Sequence, residues 1–196
     1  MKSIIYEPAE DSYLLNETLK EYLGNLIKYN QDKSIKRSPS SLKILDMGTG
    51  SGIQAKTCKD FGFDNVLAAD INKEAVKELK KQKINAIDSN LFSNISKNER
   101  FDLIIFNPPY LPEDKQEPED SKGATTAGKE GYEIIIKFLK EAKSHLNKDG
   151  TILLLFSSHS KPTVIKREAK QMNYNIKLLK RQKLFFEELF VYRIKN

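Results

Sequence analysis

The residues best suited to chemistry are four in a row: Asn107-Pro108-Pro109-Tyr110 follows directly on the apolar run Phe101-Asp102-Leu103-Ile104-Ile105-Phe106. An Asn side-chain oxygen and the carbonyl of the next residue can together accept both hydrogens of a planar amino group, which fixes that nitrogen toward an electrophile. The two prolines have fixed φ and no N–H, so they form a stiff wall without a competing donor. Tyr110 can lay its ring over the planar group. The chemistry this predicts is transfer of a group to an amide or exocyclic amine nitrogen. A Pro-rich turn that merely closes a strand has the same composition, so the surrounding elements must decide.

A second set lies upstream. Asp46-Met47-Gly48-Thr49-Gly50-Ser51-Gly52 ends one short apolar segment, and Asp70 ends the next. Glycines at such a turn let the backbone approach a ligand, and the helix beyond offers free N–H groups. The dinucleotide fingerprint G-x-G-x-x-G is not met, because Ile53 stands where its last glycine belongs, and no Gly-Lys-Ser/Thr follows to make a P-loop. The carboxylate of Asp46 beside the ligand suits an ammonium better than a pyrophosphate. Asp70 can accept two hydrogen bonds from a ribose diol or can serve as a helix cap next to Asn72. Two carboxylates and a Gly-rich turn at neighbouring strand ends predict a site for a nucleoside carrying an amino acid, and S-adenosyl-L-methionine is that molecule.

The elements that must position these residues are legible from hydrophobic spacing. Leu14, Leu15, Leu19, Tyr22, Leu23, Leu26 and Ile27 recur at helical intervals, with Asp11 or Ser12 as the cap. The polar stretch 29–41 ends that helix. Strands are then expected at 42–45, 65–69, 84–87, 101–106 and 151–156, helices after Gly52, after Asn72 and over 131–146, and another helix capped by Ser160 with Pro162 in its first turn. Two extended segments, 175–179 and 185–194, close the chain without a helix between them, so the last strand should be antiparallel. The expectation is one α/β domain: a seven-stranded, mostly parallel, Rossmann-like sheet with an antiparallel last strand and helices on both faces. Residues 1–41 form its N-terminal helix and linker and 42–196 its core.

Composition narrows the classes. A chain of 196 residues carries one real core. The net charge of +6 comes from 33 basic and 27 acidic residues, a mixed surface that permits nucleic-acid contact without pointing to it. The one cysteine, Cys58, excludes an internal disulfide or a cysteine metal cluster and is expected in the core, and no metal site is expected. No apolar run is long enough for a membrane span and the first residues lack a signal-peptide core, so a cytoplasmic protein is expected. His145 and His159 are read as structural, with His159 the closer of the two to the strand ends. Residues 184–190 are read as a hairpin packed on the sheet, without chemistry.

The order Asp46-x-Gly48-x-Gly50-x-Gly52, Asp70, Asn107-Pro108-Pro109-Tyr110 resembles class I S-adenosylmethionine-dependent methyltransferases acting on amino or amide nitrogen. With Tyr6-Glu7-Pro8-Ala9-Glu10-Asp11-Ser12-Tyr13-Leu14-Leu15 and Ala127-Gly128-Lys129-Glu130-Gly131, the chain is similar to HemK-like release-factor glutamine methyltransferases of the archaeal and eukaryotic type. The resemblance covers nearly the whole chain; the additional N-terminal helical domain of the bacterial relatives is not expected here. It implies that Ser12 touches the cofactor, with Glu10 and Asp11 shaping that approach. Asp46, Gly48 and Gly50 would border the methionine moiety and turn, and Asp70 would hold the ribose. Asn90-Leu91 would border the adenine, with Asp88 as the alternative to Asn90. Asn107 and the Pro108 carbonyl would bind the target amide, walled by Pro109 and Tyr110. The resemblance further implies a peptide-chain release factor as substrate and a small zinc-binding activator subunit at the edge formed by the short third strand.

The reaction so implied is methylation of a glutamine side-chain nitrogen in a Gly-Gly-Gln motif. The rival enzyme reading is methylation of an adenine or guanine amino group in RNA or DNA, which generally requires an added recognition domain or a basic groove with stacking aromatics. The acidic loop Glu113-Asp114-Lys115-Gln116-Glu117-Pro118-Glu119-Asp120 opposes phosphate there. A non-catalytic scaffold is the third reading, and the intact Asn107, Asp70 and glycine set weighs against it.

Overall fold

In the computed structural model, which describes residues 5–32, 39–112 and 128–196, near-continuous apolar strands zip into one seven-stranded sheet of order β3-β2-β1-β4-β5-β7-β6. The strands are β1 (Ile44–Met47), β2 (Val66–Asp70), β3 (Ala86–Asp88), β4 (Phe101–Phe106), β5 (Leu146–Ser157), β6 (Asn175–Lys183) and β7 (Glu188–Lys195). Only β7 runs against its neighbours, pairing antiparallel with both β5 and β6. The short β6–β7 connection leaves no length for a crossover, as expected. The helices are α1 (Glu10–Asp32), α2 (Ile53–Asp60), α3 (Lys73–Lys81), α4 (Glu133–Ala142) and α5 (Pro162–Gln171).

Alternation along the strands builds two cores. Leu45, Met47, Ile104 and Phe106 face α4 and α5, where Phe138 is sealed between Phe106 and Phe92 at ring separations of 4.4 and 5.8 Å. Their neighbours Ile44, Leu103 and Ile105 face the opposite way, against Leu15, Leu19 and Leu23 of α1, Cys58 of α2 and Leu79 of α3. Cys58 is fully buried.

Register places the chemistry-bearing residues on one rim. Met47 pairs with Ala69 on one side and Phe106 on the other, and Asp70 pairs with Asp88. Thus Asp46, Asp70 and Asn107 all fall at the carboxyl edge of parallel strands, where open α/β sheets bind ligands.

Several local expectations are corrected. The first helix begins at Glu10, so Asp11 and Ser12 lie inside its first turn and are not its caps, and it runs to Asp32. Ser160 does not cap α5: Lys161, at φ 51°, takes that position without a side-chain bond, while Ser160 Oγ donates to the Tyr110 carbonyl at 3.0 Å. The α4 helix is shorter than 131–146, β5 begins at Leu146 ahead of the Asp149-Gly150 turn, and β6 continues to Lys183 because it has β7 to pair with. The acidic loop 113–120, Ala127, and most of the linker lie outside the described residues. Among the described residues no helix is long and apolar enough to cross a membrane, and no group of three or more His, Cys, Asp or Glu is arranged to hold a metal ion.

Candidate active site

Along this rim runs a cleft of about 690 Å³. Its floor is the turn from β1 into α2. Asp46, 2 % exposed, accepts from Thr49 Oγ1 at 2.6 Å and from the Ala55 amide at 3.0 Å, which ties the turn to the start of α2. Burial pushes its carboxyl up to about 7, against the downward pull of those two hydrogen bonds. Gly52 has φ 79°, a conformation glycine adopts without strain, and a Cβ there would lie 2.3 Å from a methyl of Leu79, which would have to move.

Asp70 braces the same turn. Its Oδ2 accepts from the Gly50 amide and its Oδ1 from the Asn72 amide, each at 2.8 Å. Burial raises its carboxyl above the usual range, and these backbone bonds oppose the rise. Carboxylate oxygens have further lone pairs, so Asp70 can hold the loop and still accept from a diol. The cap of α3 is Asn72, whose side chain accepts from the Glu74 amide at 3.0 Å, leaving Asp70 to the cleft.

At the next strand end Ser89, Asn90 and Leu91 line the cleft. Asp88 does not line it; its carboxylate lies 3.6 Å from Lys73 Nζ, on the outside. Of the two residues considered for this position, Asn90 is the one at the cleft.

The end of the cleft at Asn107 is built by contacts across the chain. Asn107 donates from Nδ2 to Asp11 Oδ2 at 3.0 Å and approaches Ser12 Oγ at 3.4 Å. Its Oδ1 is buried and has no hydrogen-bond partner in the protein. Asp11, 5 % exposed, also accepts from the Tyr6 hydroxyl at 3.0 Å. Pro108, Pro109 and Tyr110 line the wall beside it. Burial, then the charges of Asp11 and Glu187, push the Tyr110 hydroxyl well above its ordinary range, so it stays protonated. Gly131, at φ 83°, passes so close that a Cβ would lie 2.8 Å from the Tyr110 carbonyl. Ser160 Oγ donates to that same carbonyl.

All the residues singled out from sequence, Ser12, Asp46, Gly48, Gly50, Asp70, Asn90, Leu91 and Asn107 to Tyr110, border this one cleft. Glu10 does not. Neither histidine does: His145 stacks on Phe92 at 4.5 Å, and His159 Nε2 donates to the Phe186 carbonyl at 3.1 Å.

The arrangement sets the Asn107 amide and a proline wall at one end of the cleft and two buried carboxylates with a glycine turn along the rest of it. Residues 32–185 match the family described as methyltransferase small domain. The chain belongs to that family. A provisionally assigned protein N5-glutamine methyltransferase of Methanocaldococcus jannaschii is 34 % identical over 196 aligned residues, which cover 95 % of this methyltransferase chain and 89 % of that protein. The release factor glutamine methyltransferase of Rhodopirellula baltica is 27 % identical over 172 residues, covering 80 % of this chain and 55 % of its own length. Among solved structures, a chain of the E. cuniculi Mtq2–Trm112 complex, described as responsible for methylating the eRF1 translation termination factor, superposes with a TM-score of 0.69 at 23 % identity, covering 97 % of this chain and 98 % of that one. That likeness bears on the fold, a class I methyltransferase sheet.

Sequence reasoning missed the polar brace beneath the site. Asn16 of α1 donates to Gln54 and Thr57 of α2 at 3.0 and 2.7 Å, and Gln54 Nε2 donates to the Ser12 carbonyl at 3.0 Å. The available signal was three polar residues on otherwise apolar helix faces.

Proposed function

We propose that this methyltransferase uses S-adenosyl-L-methionine to methylate the side-chain amide nitrogen of a glutamine, in the Gly-Gly-Gln motif of a class I peptide-chain release factor. The observation that carries the reading is the buried, unpartnered Oδ1 of Asn107. A buried acceptor without a donor is costly, and a planar amino group supplies the missing hydrogen. Two relatives named for glutamine methylation support the same acceptor.

The residues of the cleft fit the cofactor. Asp70 would take the ribose hydroxyls, Asp46 with the backbone of Gly48 and Gly50 the methionine end, Asn90 and Leu91 the adenine, and Ser12 the edge near Asn107. Bound there, the sulfonium supplies an electrophilic methyl. Asn107 Oδ1 and the Pro108 carbonyl then hold the two amide hydrogens so that the nitrogen lone pair faces that methyl. An amide nitrogen is a poor nucleophile, so alignment must supply much of the rate. The same two acceptors gain strength as positive charge develops on nitrogen, which favours the transition state over the ground state. No general base is needed, because the proton turns acidic only as the methyl arrives.

In this reading residues 1–196 act as one catalytic domain, with 42–196 as the core and the N-terminal helix completing the acceptor site. The reaction is placed in the cytoplasm, where release factors act. A small zinc-binding activator would cover the outer edge of β3, in keeping with the two-subunit assembly named for the structural neighbour.

The test is direct. Purified chain, labelled cofactor and the cognate release factor are incubated with and without the candidate small subunit, and the methyl is located by mass spectrometry. Label on the glutamine of Gly-Gly-Gln is expected; label on RNA alone would overturn the reading in favour of nucleobase methylation.

A further inference from the structure

The hairpin joining β6 to β7 turns at Leu184-Phe185-Phe186-Glu187, closed by the Leu184 amide donating to the Glu187 carbonyl at 2.8 Å. Its two tip residues are the most exposed large apolar side chains described: Phe185 is 92 % and Phe186 83 % accessible. Their rings meet edge to face at 4.6 Å. Hairpin tips favour Gly, Asn, Asp and Pro, because those residues suit turn geometry and water. Two phenylalanines there satisfy neither demand, and such a local conflict is expected where function overrides folding.

The tip is also fixed beside the acceptor site. His159 donates to the Phe186 carbonyl at 3.1 Å, and the Glu188 amide donates to Ser158 Oγ at 3.1 Å. Ser160, at the end of the same short turn, donates to the carbonyl of Tyr110. One turn thus clamps both the hairpin and the acceptor loop. Glu187 lies close enough for its charge to act on both Tyr6 and Tyr110.

We propose that Phe185 and Phe186 form a docking lip for the folded protein that carries the acceptor residue, seating an apolar patch of that protein next to its reactive loop. The inference rests on the glutamine reading above and adds a recognition surface to it. A side chain as small as glutamine gives the cleft little to recognise, so affinity must come from surface outside it. Exposed aromatics beside the opening supply such an anchor, since aromatic residues dominate binding energy at protein interfaces. Charge leans toward a protein over RNA here: two cations near the tip are matched by carboxylates, Lys161 by Glu130 and Arg181 by Glu188, with Lys183 left beside it. A phosphate-binding surface would leave them unmatched.

Steady-state methylation of the folded release factor is compared between the wild-type protein and the double variant Phe185→Ser/Phe186→Ser, with cofactor Kd measured on each. The lip predicts a KM for the factor raised at least about tenfold, with kcat and cofactor Kd within about twofold, and recovery of most of the KM by Phe185→Leu/Phe186→Leu. An unchanged KM, or a loss confined to kcat or cofactor binding, overturns the lip while leaving the glutamine reading in place. Failure of the wild-type protein to label the factor, with label on RNA, overturns both.

Discussion

Asn107 Nδ2 donates to Asp11 Oδ2 at 3.0 Å across 96 residues of sequence, and this contact fixes the nitrogen end of the Asn107 amide against the first turn of α1. An ionised carboxylate can only accept, so it draws the amide nitrogen and turns Oδ1 the other way. That oxygen is the buried atom without a partner. The first turn of α1 therefore orients the Asn107 side chain.

Replacing Asp11 by Asn keeps the shape and removes this preference. The Asp11→Asn protein should lose about ten- to a hundredfold in kcat while its cofactor Kd changes by less than about threefold. Isothermal titration beside a methylation assay separates the two. An equal loss in both would reassign Asp11 to cofactor binding.

Asp46 makes the fold sensitive to pH. Its carboxyl rises from 3.8 to about 7 on folding, mainly through burial. Between those values the folded chain binds more protons than the unfolded one, so the stability contributed is complete below about pH 4 and lost as pH rises through about 7. The Tm of unliganded protein should fall by several degrees between pH 5 and 8, and Asp46→Asn should flatten this fall. Cofactor affinity should run the other way, because a cationic amino group prefers the ionised carboxylate. A calorimetric Kd that does not tighten from pH 6 to 8 would contradict this role.

Gly131→Ala forces an L side chain to φ 83° and brings its Cβ to 2.8 Å from the Tyr110 carbonyl. The conformational cost alone is about 1–2 kcal/mol, and the clash falls on the acceptor loop. Thermal denaturation should show a Tm lowered by roughly 2–8 °C. The fall in kcat should exceed any change in cofactor Kd, and an unchanged kcat would mean the loop does not depend on this close approach.

Phe138→Ala tests the packing beneath the site. The ring is fully buried against Phe106, the residue just before Asn107. Its loss should destabilise the fold by about 3–5 kcal/mol in urea unfolding. Less than about 1 kcal/mol would mean the core collapses around the gap.

Much of this site could be read from sequence because strand ends are marked by local patterns. Apolar runs that stop at Asp46, Asp70 and Asn107 place those residues on one rim once a parallel sheet is inferred. The helix starts were less legible. Asp11 and Ser160 have the composition of caps, but their side chains are engaged by Asn107 and Tyr110, partners far away in sequence. The exposed tip Phe185-Phe186 was misread as packing for a related reason: apolarity suggests burial, and only the fold shows the side chains leaving the sheet. Between Asp88 and Asn90 the sequence offered no means of choosing, because only the fold shows that Asn90 lines the cleft while Asp88 sits beside the exposed Lys73.

Whether Asn107 clamps a glutamine amide for methylation is decided by mass-spectrometric quantification of methylated Gly-Gly-Gln in release factor treated with wild-type or Asn107→Ala protein, at matched cofactor occupancy. With Asn107→Ala, methylation should fall by at least about a hundredfold with cofactor binding retained. Methylation by Asn107→Ala at near wild-type rate would contradict it.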